Sequence, residues 1–434
     1  MRLANIDTAF LQDDNRTVRH DLDILVQGGE IVAVAPDLSD QTGHHVIDCH
    51  DQIAVPGLVN CHAHTAMQFA RGLSDDEPLF EWLATNGTYT AVVDRDTKRA
   101  ACRLATRLML ERGVTTVHDM WNTYLADEFT DLGIRAVIGS TMAENEPSSP
   151  SKTRPRLEKT REAIAAFAGR PTLHPSVPVH SVYRATPELL QAAHDLAADA
   201  DIPFHIHVAE NATEVRRCRD VHGTTPVGVL DQMNVLDEHT VAVHCTELTN
   251  TDRERLGAAK AGVAHCPSAN LKLGSGVANV SAVPDDVAVG IGTDGAGSNN
   301  DLAPLREARL ATLLQKQEDP AAVDAQYALD MMTREGAAVL GLEDRLGSLL
   351  PGHRADITLF DSTDPALTPA IGDAGLLSNL VYSFHGHAET VLVEGRVVVD
   401  DGRCLTDTGD AAATVETFQA EMADSEGRTP YRRS

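Results

Sequence analysis

The chain has 434 residues, 42% of them hydrophobic, and a formal net charge of −28. At about 150 residues per domain this allows roughly three units, although an α/β barrel alone takes ~250 residues. An acidic excess of this size repels phosphate backbones and anionic lipid heads, which excludes nucleic acid and membrane surfaces as partners.

No run approaches the ~18 consecutive apolar residues of a membrane span. The opening MRLANIDTAFLQDDNRT lacks the basic-then-apolar pattern of a secretory leader, so the expected location is the cytoplasm. Lysine occurs only at positions 98, 152, 159, 260, 272 and 316, and arginine supplies the other positive charges. Acid excess with scarce lysine resembles the proteins of salt-accumulating halophiles. The cysteines at 49, 61, 102, 218, 245, 266 and 404 are odd in number and form no C-x-x-C pair, which speaks against a disulfide framework.

In chain order, residues 1–56 carry short β-like pieces such as LDILVQGGEIVAVAP and HHVIDCHDQIAV. From residue 57 the pattern changes. The apolar runs GLVNCHAH, VTTVHDM, IRAVIGSTM, HPSVPVHS, PFHIHVAE, TVAVHC, GVAHCPSAN and VAVGIGTDG alternate with helical or loop segments. Over 98–113, Ala101, Leu104, Ala105 and Leu108 fall at helical spacing, with Gly113 as a stop. Over 187–200, Thr186 is placed to cap a helix and Pro187 to open it. A polar loop, EPSSPSKTRPR, lies at 146–156. After a helix near 324–340, GSLLPGHRADITLFD and ETVLVEGRVVVDDGR return to strands.

Eight strands alternating with helices predict an α/β fold, a closed (β/α)8 TIM-like barrel over 57–349. Residues 1–56 and 350–410 are expected to form a composite β-sandwich domain. The tail 411–434 is polar, with a short helix at 411–423.

Nearly every predicted strand ends in a polar residue able to bind a metal. His62 and His64 stand two apart, so on a strand both rings share a face. His207 ends the fifth run with Glu210 just beyond, His244 ends the sixth, and Asp294 ends the eighth. The C-terminal strand ends of a barrel converge on one mouth. Three imidazoles and a carboxylate there make a nitrogen and oxygen ligand set suited to Zn²⁺ or Fe²⁺. His205 lies two residues deeper than His207 and is expected to pack behind the site. Core or supporting roles are the default for His118, His174 and His265.

The segments PGLVNCHAHTAMQFARGLSDDEPLFEWL, HIHVAEN, VAVHC, HCPSANLKLGSGVA and GTDGAGSNNDLAPLREARLATLLQK resemble the amidohydrolase superfamily. The branch they are most similar to holds the methylthioadenosine/S-adenosylhomocysteine deaminases and their chlorohydrolase relatives. The resemblance implies that His62, His64, His207 and Asp294 bind one divalent metal, zinc or iron. It implies that Glu210 shuttles protons, that His244 hydrogen-bonds the attacking water and that Asp294 accepts its proton. His180 and Arg156 match substrate-contacting residues of the family. Two positions depart from its pattern: the ribose-binding glutamate is replaced by Ala91, and an arginine of the third strand by Ser140.

The implied activity is hydrolytic deamination of a small heterocyclic amine, a 5′-modified adenosine first, with release of ammonia. Guanine, a pterin or an s-triazine, deaminated or dechlorinated, remains the alternative, and a catalytically silent scaffold barrel a more distant one. The other zinc deaminase signature, H-x-E with P-C-x-x-C, is absent. Two-metal relatives use a carboxylated lysine on a central strand, but Lys152 and Lys159 fall in or beside the polar loop, which favours one metal. Association into a homo-oligomer is left open by the sequence.

The charge generates a first prediction. Self-repulsion of this size is screened only at high ionic strength, so molar salt should preserve or raise activity and thermal stability. A melting temperature that does not change between low and molar salt contradicts the halophilic reading.

Overall fold

A computed structural model describes residues 1–41, 44–143, 153–317 and 319–425. Residues 146–152 of the polar loop and 426–434 of the tail lie outside the described residues. Each of the eight apolar runs forms a strand: Leu58–His64, Val114–Asp119, Arg135–Ile138, Leu173–Pro175 continued by Val177–Ser181, Phe204–Val208, Thr240–His244, Gly262–His265, and Val289–Ile291 continued by Asp294–Gly295. All their pairings are parallel.

The expected single closed ring differs in its hydrogen bonding. The strands form two five-stranded ladders, and the chain passes from one to the other within the fourth and the eighth strand. At the first seam Pro175 and Pro178 have no N–H to give a continuous ladder. At the second, Asp294 takes a left-handed backbone (φ 57°) that redirects the strand.

Local signals in the sequence set the helices. Asp94 caps the helix Arg95–Leu110 by accepting from the Thr97 N–H. Thr186 caps Pro187–Ala200 by accepting from the Leu189 N–H. The helix expected near 324–340 is two, Ala325–Met332 and Arg334–Val339, broken at Thr333. Strand alternation divides the fifth strand cleanly. Phe204, Ile206 and Val208 join the apolar layer shared with Leu189, Leu190 and Ala193 of the preceding helix. His205 and His207 occupy the opposite face, where both meet His62.

Both ends of the chain enter one nine-stranded sheet. Gln52–Pro56 pairs antiparallel with Ile357–Asp361, which joins the amino-terminal strands to the carboxy-terminal ones. A separate apolar cluster, including Leu3, Ile24, Ile31, Ile357 and Leu392, serves this sheet. The helix Ala411–Ser425 returns to the barrel. There Phe418 packs edge-on against Phe69 at 5.5 Å, and Gln419 donates to the carbonyls of Phe69 and Arg71 at 3.1 and 2.9 Å.

A buried ion network ties the sheet to the barrel. Arg135, only 2% exposed, donates to both carboxylate oxygens of Asp356 at 3.0 and 3.1 Å and to Glu394 at 2.6 Å. Arg135→Ala leaves the buried Asp356 carboxylate without its arginine and Glu394 with Arg354 alone. The expected cost is roughly 3–5 kcal/mol of stability, read as a lower midpoint in thermal or denaturant unfolding. A wild-type midpoint would show that the network does not hold the two parts together.

Candidate active site

The histidines of the first and fifth strands and the aspartate of the eighth meet at the ends of their strands. His62 Nε2 and His64 Nε2 lie 3.4 and 3.3 Å from Asp294 Oδ1. His207 Nε2 lies 3.3 Å from His62 Nε2. The other ring nitrogens are taken. His64 Nδ1 donates to the Met120 carbonyl at 2.9 Å, and His207 Nδ1 to the His180 carbonyl at 2.7 Å. A carbonyl only accepts, so Nδ1 carries a proton in both rings, and a ring holding that one proton alone turns its Nε2 lone pair inward. His62 Nδ1 meets His205 Nε2 at 3.0 Å.

Lone pairs and a carboxylate aimed at one point repel one another unless a cation sits between them. Bonds of about 2.0–2.2 Å to nitrogen and oxygen put neighbouring ligand atoms of a tetrahedral ion about 3.3–3.5 Å apart. The observed spacings of 3.3–3.4 Å agree, so these residues fit a divalent metal. Ser298 Oγ donates to Asp294 Oδ2 at 2.7 Å and fixes the carboxylate plane. Burial would raise the Asp294 carboxyl, but the hydrogen bond from His62 and the neighbouring histidines hold it well below the usual range. Burial pushes His62 down to about 4, so it is neutral, as a ligand must be.

The strand ends turn sharply. Ala209, His244, Cys245 and Asp294 all have positive φ, of 50°, 73°, 53° and 57°. Non-glycine residues in that region cost about 1–3 kcal/mol each and cluster at functional sites. Gly292 lies under the metal-binding end, where a Cβ would sit 2.8 Å from the Cβ of His62.

Glu210 is buried, with its Oε1 3.8 Å from His244 Nε2. Burial, then the charge of Asp294, raises its carboxyl well above the ordinary range, which favours the protonated form. His244 Nδ1 donates to Asn270 Oδ1 at 2.8 Å, which aims Nε2 into the cavity. The Glu214 carboxylate accepts from the Glu210 N–H at 2.7 Å and fixes that turn.

The cavity above holds about 570 Å³ and is lined by His64, His180, His207, Glu210, His244 and Asp294 on its polar side. Its other wall is the helix Leu79–Val92, which presents Leu79, Trp82, Leu83, Asn86, Thr90 and Ala91. Trp121 and Arg184 complete the wall. His180 stays neutral, pushed down to about 3 by burial and then by the charge of Arg184.

Of the residues expected here, Arg156 is not brought in. Its guanidinium donates to the Ala143 carbonyl and lines a neighbouring cavity with Lys159 and Ser140. His205 stands behind His62 and stacks on His118 at 3.6 Å between ring centroids. Sequence reading missed Ser298, Asn270, Trp82 and Arg184. The helical spacing of Leu79, Trp82, Leu83 and Asn86 was the available signal for that wall.

The fold and the site define a barrel-type metal hydrolase. The amidohydrolase family matches residues 53–398, and the chain belongs to that family. A 5-methylthioadenosine/S-adenosylhomocysteine deaminase of Nitratidesulfovibrio vulgaris is 35% identical over 404 residues, 90% of each chain. An adenosine deaminase from Xanthomonas campestris, solved with bound zinc, is 28% identical, covers 98% of each chain and superposes with a TM-score of 0.91. An atrazine chlorohydrolase from Arthrobacter aurescens, also with zinc, is 25% identical over 96% of this chain and 99% of its own, with a TM-score of 0.89.

Asp294→Ala removes the only carboxylate of the quartet. It should lower metal content from about one per chain toward zero, measured by elemental analysis of purified protein. Retention of a full equivalent would remove Asp294 from the ligand set.

Proposed function

We propose that the protein is a mononuclear metal-dependent aminohydrolase that deaminates a heterocyclic amine, a 5′-modified adenosine first among them. The observation that carries this reading is the quartet of His62, His64, His207 and Asp294, with Glu210 buried beside it and its carboxyl raised well above the ordinary range. In this reading the quartet holds one zinc. A divalent cation held there supplies Lewis acidity that brings the pKa of a water toward ~7.

Asp294 accepts the proton of the attacking water, and His244 orients that water through Nε2. Glu210 donates its proton to the ring nitrogen as the water oxygen adds to the adjacent carbon. It then takes the proton of the added hydroxyl and passes it to the departing amino group, and the proton held by Asp294 restores Glu210, so amine and water become carbonyl and ammonia. His180, neutral and at the cavity wall, contacts the substrate. Burial of the cavity floor keeps bulk water from competing for these protons.

The same reading divides the chain into a barrel at 57–349, a β-sandwich domain from 1–56 and 350–410, and a tail at 411–434. The separate apolar cluster of the terminal sheet supports that division. The protein would work in the cytoplasm, consistent with the lack of any membrane-spanning helix among the described residues.

One observation favours a second reading. Ala91 lines the cavity where the family's ribose-binding glutamate is expected, and Ser140 hydrogen-bonds Thr123 instead of facing the cavity. A diol that loses a charged acceptor forfeits about ten- to a hundredfold in affinity. Discrimination between ribosides and free bases should therefore be weak, and guanine, pterin and triazine amines remain in view.

The test is ammonia release from methylthioadenosine, S-adenosylhomocysteine, adenosine, adenine, guanine, a pterin and a triazine, with metal content measured on the same sample. Turnover of free bases or triazines with none of any adenosine derivative moves the assignment to the second reading. Glu210→Gln should keep the metal and lose at least ~10² in kcat, the usual scale for acid–base catalysis. Wild-type activity should fall as alkaline pH removes the Glu210 proton. Near-normal turnover in Glu210→Gln would exclude it as the proton carrier.

A further inference from the structure

Glu307 is a buried acid that the mechanism above does not use. It lies in the first turn of the helix Pro304–Gln315 and joins two segments of the site. Its Oε2 accepts from the Ser268 N–H at 2.9 Å, and its Oε1 accepts from Asn299 Nδ2 at 2.9 Å. Burial pushes the carboxyl up to about 7, against the pull of the hydrogen bonds from Ser268 and Asn299. An apolar side chain would avoid that cost, but it would leave both donors unpaired.

Each donor leads to a group that handles the attacking water. Ser268 belongs to the short helix Pro267–Lys272, whose Asn270 accepts from His244 Nδ1 at 2.8 Å. Asn299 Nδ2 also donates to the Thr293 carbonyl at 2.8 Å, directly before Asp294. Both amide protons of Asn299 are thus committed, and its neighbour Ser298 holds Asp294 Oδ2. Lys272 Nζ fastens the same two segments a second time, through the Gly297 carbonyl at 3.2 Å and Asn300 Oδ1 at 2.6 Å. Of the two fastenings, Glu307 is the fully buried one.

We infer that Glu307 is a positioning residue for the hydrolytic step, one carboxylate that sets the spacing between His244, which orients the water, and Asp294, which takes its proton, resting on the roles proposed above for those two residues. Both oxygens act as acceptors, one toward each segment. A glutamine of the same shape offers one acceptor and turns its NH2 toward the other donor, so one of the two links opens. A misplacement of about 1 Å that originates far from the reacting atoms can cost about a hundredfold in rate.

The experiment measures kcat, KM, bound metal and melting midpoint for wild type, Glu307→Gln, Asn270→Ala and the double variant, on the amine that wild type deaminates fastest. Glu307→Gln should lower kcat per bound metal about ten- to a hundredfold, with KM within about threefold of wild type and the metal retained. Losses in the double variant should fall short of the product of the single losses by at least about threefold, because both changes act on His244. Glu307→Asp keeps the charge but shortens the reach by one methylene. It should show the same fall in kcat, and it takes the place of Glu307→Gln if that variant does not fold. A role confined to holding the fold lowers the melting midpoint or the metal-loaded fraction and leaves kcat per bound metal unchanged. That result, a change in KM alone, or losses that multiply would overturn the inference.

If wild type turns over no amine, the deaminase reading fails on its own. The link from Glu307 to Asp294 is then judged by the visible absorption of the cobalt(II)-loaded proteins. Shifted bands in Glu307→Gln at equal cobalt content support it, and identical spectra overturn it.

Discussion

Burying the Asp294 carboxylate takes an ion out of water, a step that costs several kcal/mol unless partners replace the lost hydration. Here the residue is 5% exposed and its carboxyl nonetheless stays ionised. Three imidazoles and the Ser298 hydroxyl surround it, each fixed by a partner of its own. Those partners reach outward in turn: Met120 from the end of the second strand, the His180 carbonyl from the fourth, and His205 from the layer below. Burial raises the Glu210 carboxyl, and the same charge adds to that, since two neighbouring buried acids do not both ionise readily.

The scaffold accepts local strain to achieve this. Left-handed turns at Ala209, His244 and Asp294 redirect the chain at the strand ends that build the site. The rigid part of the barrel beneath them supplies the compensation, through long parallel ladders and a dense apolar layer. The arrangement separates two tasks. Residues deep in the strands maintain the fold, and residues at the strand ends hold reactive groups in conformations they would not otherwise adopt.

Much of this was legible in the sequence. The eight strands, the caps at Thr186 and Pro187 and the quartet at the strand ends all rest on short-range rules of alternation and capping. What escaped depends on chain direction in space. Nothing local says that Arg156 turns to the Ala143 carbonyl, or that Arg184, in an unremarked turn, lines the cavity. Asn270 holds His244 from 26 residues away, and only tertiary contact reveals such a pairing. The break at Thr333 and the two seams of the barrel likewise follow from packing and backbone geometry. Periodicity gives where elements lie, not where ladders stop.

The carboxy-terminal helix has a bearing on how the molecule is made. Gln419 and Phe418 clamp the turn that immediately follows His64, across 350 residues of chain. Strands from the last quarter of the sequence also complete the sheet begun by the first residues. A ribosome delivers a chain from its amino end, and early segments usually begin to fold as they emerge. In this protein the histidine pair is synthesised early but its supporting turn is completed late. The contacts that steady the turn behind the histidine pair therefore form only once the chain has been made as far as Gln419.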